Sequence, residues 1–260
     1  MSAQATLEKQ TVAGANHPVV SREKWTEARK ELLEQEKRLT KQIDEIAAWR
    51  RELPWVRVDK EYVFDGPRGR ETLSDLFAHR SQLIVYHFMF SPGATEGCPG
   101  CSFLSDHIDG ANLHLAHHDV TLLAVSRAPW RDFEPFKKRM GWQFHWVSSC
   151  ANDFNIDYHV TATEEDVAAG RAIYNYEKAE EPGEMPGISV FFKDADGAIY
   201  HTYSTYARGG DILIGAHNYL DFTPKGRNEE HTMDWVRFHD RYDAAGEAKS
   251  PCACNDGAAA

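Results

Sequence analysis

Eight consecutive residues, Leu83-Ile84-Val85-Tyr86-His87-Phe88-Met89-Phe90, contain no Asp, Glu, Lys or Arg. The run is too short to cross a bilayer. It is rich in aromatic and β-branched side chains, which predicts a central strand buried on both faces. Such a strand requires covering elements on both sides of its sheet. Small residues follow from Ser91 to Gly97, and then Cys98-Pro99-Gly100-Cys101 opens the next helix. Residues three apart in a first helical turn share a face, so two sulfurs there come within bonding reach. Unpaired N–H groups and the positive end of the helix dipole favour a thiolate on Cys98. Pro99 suits the first turn, where its missing N–H costs little.

With 260 residues, the chain can form one large domain with additions or two small ones. Its net charge of -11 comes without a basic stripe, which argues against nucleic acid as a partner. Met1 to Val20 lacks an apolar core flanked by positive charge, so no signal peptide is expected. No membrane span and a cytoplasmic location are expected. Five cysteines, an odd number, point to reactive or metal-binding thiols rather than a structural disulfide framework.

Residues 1–20 read as a flexible arm. Residues 21–52 read as one amphipathic helix, about 45 Å long, capped by Ser21 and stopped at Leu53-Pro54. Its Trp25, Ala28, Leu32, Leu39, Ile43 and Ile46 recur at three- and four-residue steps. That side is expected to pack on the chain's own domain or, in a homodimer, on a second copy. Trp55–Val58 and Tyr62–Phe64 read as a hairpin, and Thr72–Ala78 as a short helix. The helix begun at the cysteines is expected to run to His118, bent at Gly110. Val120–Val125, a helix from Trp130 to Met140, and a strand from Trp142 to Ser148 follow. Strands alternating with helices imply right-handed crossovers and a parallel central sheet. Ala151–Glu184 reads as a polar excursion with one short helix. Ile188–Phe192 and Ala198–Ser204 form an antiparallel hairpin around Asp194–Gly197. Gly209–Leu220 and His231–Tyr242 are expected helices, and 244–260 a flexible tail.

A parallel half, then a hairpin and a closing helix, resembles the thioredoxin arrangement. Met185-Pro186, just before the hairpin, sits where thioredoxin-like proteins place a cis-proline against the dithiol. More narrowly, Leu53-Pro54-Trp55-Val56, Leu83–Phe90, Val125-Ser126-Arg127-Ala128-Pro129, Arg139-Met140-Gly141-Trp142 and His201-Thr202-Tyr203-Ser204 are similar to a bacterial family of predicted dithiol-disulfide oxidoreductases, catalogued as a domain of unknown function. The resemblance spans roughly residues 20–243. It implies an α/β, thioredoxin-like three-layer fold over 53–243 with a mixed central sheet, a long N-terminal helix and a C-terminal helical extension.

The expected chemistry is thiol-disulfide exchange, with Cys98 as nucleophile, Cys101 as resolving thiol and Pro186 beside them. Thr95, Pro99, Arg127 and Trp130 are substrate-binding candidates, because ligands of open sheets bind at the strands' C-terminal ends. A modest lowering of the Cys98 pKa is expected, opposed by Glu96. The partners implied are a protein or small-molecule disulfide and a reductant whose identity is not fixed by the sequence; no cofactor is implied. A peroxiredoxin-like peroxide reductase is the first alternative. Thr95 matches that pattern three residues before Cys98, but Ser91 stands where its proline belongs and the Gly187–Val190 strand lacks its arginine. A metal-binding or metallochaperone role is the second alternative. His107, His114, His117 and His118 follow the cysteines, yet Cys101 and His114 lie about 20 Å apart along a straight helix. Only a break near Gly110, or a histidine from another strand such as His87 or His201, would complete such a site; otherwise no metal is expected. A non-catalytic protein that binds partners through its long helix is the third. Cys150 reads as an inert core thiol, and Cys252 and Cys254 as an electron relay, a metal pair or an accident of the tail's composition.

Overall fold

The computed structural model describes residues 17–242. Two compact units divide the chain, Met1–Leu53 and Pro54–Ala260. In the first, α1 (Arg22–Glu52) begins where the Ser21 hydroxyl accepts the Lys24 N–H at 3.4 Å. Leu53 ends it by donating back to the Arg50 carbonyl. No residue of α1 is buried, and Trp25, Leu32, Leu39, Ile43 and Ile46 are all exposed in the single chain.

The second unit carries an eight-stranded sheet. Its N-terminal strands are β1 (Val56–Arg57), β2 (Val63–Gly66) and β3 (Gly69–Thr72). The expected hairpin of Trp55–Val58 with Tyr62–Phe64 does not form. β1 instead pairs antiparallel with a distant strand, and the hairpin is β2 with β3, turned at Gly69 with φ +93°. A 3₁₀ turn at Asp75–Phe77 buries Leu76 and Phe77. The apolar run supplies β4 (Gln82–His87), followed by α2 (Pro99–Ser105), α3 (Ile108–Ala116), β5 (Val120–Ser126), α4 (Trp130–Arg139) and β6 (Trp146–Ser148). β4, β5 and β6 run parallel, with Gln82 opposite Val120 and His87 opposite Val125.

The excursion holds two short helices rather than one, α5 (Phe154–Asp157) and α6 (Glu164–Ala168). It also holds β7 (Thr161–Ala162), β8 (Ile173–Tyr174), β9 (Glu177–Lys178) and β10 (Gly183–Glu184), which pair as β7 with β10 and β8 with β9. β11 (Gly187–Lys193) and β12 (Ile199–Tyr206) form the expected antiparallel hairpin, with a bulge between Val190 and Phe191. A 3₁₀ segment, Ala207–Leu213, leads into α7 (Gly215–Leu220). His231–Tyr242 forms no α-helix; among the described residues it contains turns and one 3₁₀ turn, His239–Arg241. Met233, at φ +59°, stands in the left-handed region in the middle of the segment and interrupts a helix there.

The sheet order is β1-β12-β11-β4-β5-β6-β2-β3. Within it, β12-β11-β4-β5 has two parallel strands flanked by an antiparallel hairpin, with helices in the crossovers. That is the thioredoxin-like arrangement. β4 lies between β11 and β5, and its side chains alternate between two cores. Tyr86, Phe88 and Phe90 face a cluster that contains Cys101, Phe133, Phe136, Trp142 and Trp146. Leu83 and Val85 face a second with Phe64, Phe77, Phe154 and Tyr158. The burial predicted for Leu83–Phe90 on both faces is what the sheet shows.

Trp146 is the largest fully buried side chain; it stacks on Phe133 with centroids 4.4 Å apart and donates its Nε1–H to the Ser126 hydroxyl at 3.0 Å. Trp146→Ala is expected to destabilise the protein by about 3–5 kcal/mol, as large core truncations do. Trp49→Ala, at an exposed site on α1, should change stability by less than about 0.5 kcal/mol. Paired urea titrations check the contrast.

Candidate functional site

The dithiol is positioned by the end of β4. Beyond His87 the chain stays anchored to the neighbouring strand: the Phe88 N–H donates to the Val125 carbonyl at 2.9 Å, and the Ala128 N–H donates to Phe90 at 3.0 Å. A turn closed by the Ala94 N–H to Ser91 then returns the backbone, and the Cys98 N–H donates to the Met89 carbonyl at 3.2 Å. Gly97 makes this return possible. A Cβ there would lie 2.8 Å from Phe88 Cζ and nearer still to Cε1.

Cys98 is the N-cap of α2 in extended conformation, with Pro99 at the first helical position. First-turn N–H groups have no intrahelical acceptor. The Cys98 carbonyl accepts both the N–H and the hydroxyl of Ser102, each at 2.9 Å. Cys98 is half-buried, whereas Cys101 is 2% exposed among apolar neighbours; both are thiols. α2 stops at Ser105, so the long helix expected to bend at Gly110 breaks earlier. His107 accounts for the break: its Nδ1 lies 2.8 Å from the Phe103 carbonyl, and its Nε2 accepts the Ala216 N–H at 3.1 Å.

The other sequence candidates scatter. Thr95 is exposed. Trp130 opens α4 and packs against the dithiol's apolar cluster. The Arg127 Nε donates to Glu184 at 2.6 Å, and Glu184 also accepts the Thr161 hydroxyl at 2.5 Å; Arg127 thereby joins the end of β5 to β10. The Met185–Pro186 bond is trans, which overturns the expected cis-proline. Its flanking groups are already engaged: the Met185 N–H donates to Val160, Pro186 accepts from the Tyr174 hydroxyl, and Gly187 enters the ladder opposite His87 and Tyr206. The thioredoxin-like topology rests on strand order instead.

Local sequence gave no sign of the charges that surround the loop. Arg139, 43 positions away, and Arg241, 145 positions away, both pair with Glu96. Arg139 also bonds Asp240 through Nε at 2.8 Å. Burial pushes the Glu96 pKa up, but hydrogen bonds and charge from the two arginines outweigh it and hold the carboxylate below its usual range. Glu96 was expected to oppose a Cys98 thiolate; paired with two cations, it does so less. Further along, His239 lies 2.7 Å from the Asp106 carboxylate, which also accepts the Trp142 indole N–H at 2.8 Å. Trp235 packs edge-on to Phe103, and Val236 and Phe238 are buried in the same cluster as Cys101. Residues 235–241 thus lie along α2 as a strap.

The histidines do not gather at the sulfurs. His114, His117 and His118 are exposed. His87 shares the face of β4 that carries Leu83 and Val85, where it stacks on Tyr158. Its Nε2 is 2.9 Å from the Ser189 hydroxyl, which contacts Ser204 at 2.9 Å, and Ser204 contacts His201 Nε2 at 2.8 Å. Burial, with His201 adding to it, pushes the His87 pKa down to about 3, so the ring is neutral at physiological pH. Among the described residues, no three His, Cys, Asp or Glu side chains group as a metal site. Cys150 is exposed just past β6, contrary to the expected core thiol; its N–H donates to the Ser148 hydroxyl. Cys252 and Cys254 lie outside the described residues. Among the described residues, no helix is long and apolar enough to cross a membrane.

A family model described as "Bacterial protein of unknown function (DUF899)" matches residues 14–242. The chain belongs to that family. No curated protein matches the sequence. Solved structures resemble it loosely. They include the peroxidoxin BcpB of Mycobacterium tuberculosis, at 11% identity and TM-score 0.43, covering 65% of this chain and 97% of that one. A peroxiredoxin Q of Xanthomonas campestris is 16% identical with TM-score 0.40, covering 59% and 87%. A putative thiol:disulfide interchange protein DsbE of Chlorobium tepidum is 14% identical with TM-score 0.37, covering 63% and 97%. These likenesses are too distant to lend this family member an activity.

Two predictions test the site's construction. Gly97→Ala should cost about 1–3 kcal/mol through overpacking, and Phe88→Leu in the same chain should recover part of it, read as coupling in a double-mutant cycle. Glu96 and Asp240 both titrate below their usual range in the fold. Their contribution is therefore present above the ordinary carboxylate range and is lost as pH falls through the lowered folded values. Glu96→Gln should be less stable than the parent at pH 7, and the gap should shrink below about pH 4, measured by urea midpoints across pH.

Proposed function

We propose that this chain is a dithiol-disulfide oxidoreductase, with Cys98 as nucleophile and Cys101 as resolving thiol. One observation carries the reading: two thiols three residues apart in one helical turn, the first half-buried at the helix N-cap and the second 2% exposed beneath it. That asymmetry suits a two-step exchange. The Cys98 thiolate, at the N-terminal end of the helix where the dipole favours negative charge, attacks one sulfur of a substrate disulfide and expels the other as thiolate. Cys101 then attacks the Cys98 sulfur of the mixed disulfide and releases the reduced substrate. The enzyme is left with a Cys98–Cys101 bond.

Arg139 and Arg241 support this role because they offset the Glu96 carboxylate two residues before the nucleophile. Arg127, at the same end of the sheet, is committed to Glu184. It is thus a tie between elements before it is a substrate contact.

Cys98→Ser should abolish turnover of a model disulfide. Cys101→Ser should complete the first attack and accumulate a mixed disulfide on Cys98. Trapping with the second variant, followed by peptide mass mapping, checks both residues and identifies what they hold. If Cys101 alkylates faster than Cys98 from pH 6 to 9, the roles are reversed. Peroxide consumption by Cys98 without disulfide exchange would favour the peroxiredoxin reading.

A further inference from the structure

Phe238 of the strap is 6% exposed and shares the apolar cluster of Cys101. Its ring meets Phe136 of α4 edge-on, with centroids 5.4 Å apart. It also meets two cations. The Arg139 guanidinium lies over the ring at 5.1 Å from its centroid, and the Arg241 guanidinium lies over the same ring at 5.1 Å. Both arginines bond Glu96, Arg139 through Nη1 and Arg241 through Nη2 and, at 3.1 Å, through Nη1. Two guanidiniums brought to one carboxylate repel each other. The negative face of an aromatic ring attracts each of them and offsets that cost. Asp240, bonded to Arg139 at 2.8 and 3.2 Å, completes a set of two cations and two anions. Other charges around the dithiol are committed elsewhere: Arg127 to Glu184, and His239 to Asp106. Glu96 and Cys98, two residues apart, have Cα atoms at most about 7 Å apart. A bare carboxylate at that range disfavours a thiolate, and pairing the carboxylate with cations removes the penalty.

We propose that Phe238 is a positioning residue for the nucleophile: it seats Arg139 and Arg241 on Glu96, and so cancels the charge that opposes a thiolate at Cys98. This rests on the oxidoreductase reading of Cys98 and Cys101. Phe238 acts through the arginines and Glu96, without contact to a substrate disulfide. The property it supplies is the negative face of its ring. Leucine would keep most of the apolar bulk and lose that face. Fluorination of the ring would keep its shape and weaken the face.

The test uses the reduced full chain. Iodoacetamide alkylation is mapped at each cysteine by mass spectrometry between about pH 5 and pH 10, a range that brackets an ordinary thiol. The midpoint of the Cys98 profile is the readout. A ring-trifluorinated phenylalanine, placed at position 238 by amber suppression, should raise that midpoint by about half a pH unit. Phe238→Leu should raise it at least as much; if that variant does not fold, the fluorinated chain decides. In a Glu96→Gln background both shifts should fall below about 0.2 unit, because the carboxylate they act through is gone. A fluorinated chain with an unmoved Cys98 midpoint would overturn the inference, as would a shift of equal size without Glu96. A role in packing alone would produce the first of these results, with faster Cys101 alkylation in Phe238→Leu. The parent chain is oxidised with diamide and mapped alongside. A Cys98–Cys101 bond there leaves the dithiol reading intact whatever the midpoints show, and its absence removes both.

Discussion

The candidate site depends on one close approach, that of the Phe88 ring to the backbone at Gly97. Phe88 is held by its N–H bond to β5 and by rings on several sides, including Trp146 at 4.5 Å between centroids. A strand end fixed in this way gives the returning loop a rigid floor. The loop needs a residue without a side chain at the point of contact. Cys98 then follows in a fixed place, tied to Met89 by its own N–H. The position of the nucleophile is set by the aromatic core beneath it as much as by the helix it caps.

Charge completes what packing begins. Glu96, Arg139, Asp240 and Arg241 come from three separated segments and meet around the loop. Each is partly exposed, so single pairs contribute little to stability, but a shared network fixes where the chain runs. Its structural effect is to lay residues 235–241 along α2. The same contacts cover one side of the dithiol helix and leave Cys98 the more accessible of the two sulfurs.

Local patterns made much of this legible. The apolar run, the cysteines at a helix start, the Asp194–Gly197 turn and the three- and four-residue steps of α1 are each written within about 30 residues, and each has its element in the structure. What was missed depends on partners far away in the chain. Val56 and Arg57 alternate like the first arm of a hairpin, but their ladder partners are His201 and Tyr200. The residues from His231 to Tyr242 carry apolar side chains at helix-like spacing. Their burial comes from docking on α2, with a left-handed Met233 between. Pro186 invited an analogy that the Met185 and Gly187 hydrogen bonds do not support. The arginines of Glu96 had no sequence signal at all, because nothing local links position 96 to 139 or 241.

The pairing of β1 with β12 also bears on how the chain reaches this state. Those strands lie at opposite ends of the second unit, and the sheet closes only when residues 56–57 meet 200–201. β2 likewise waits for β6, across more than 80 residues. Contacts of such long separation carry a heavy loop-closure cost before any return in burial, which slows folding and makes it cooperative. Because early and late segments interleave in one sheet, neither half of the unit holds a complete core. During synthesis, β4 and its apolar faces emerge well before β11 and β12 can cover one edge. The nascent chain therefore carries a hydrophobic strand with one open edge until the β11–β12 hairpin has left the ribosome.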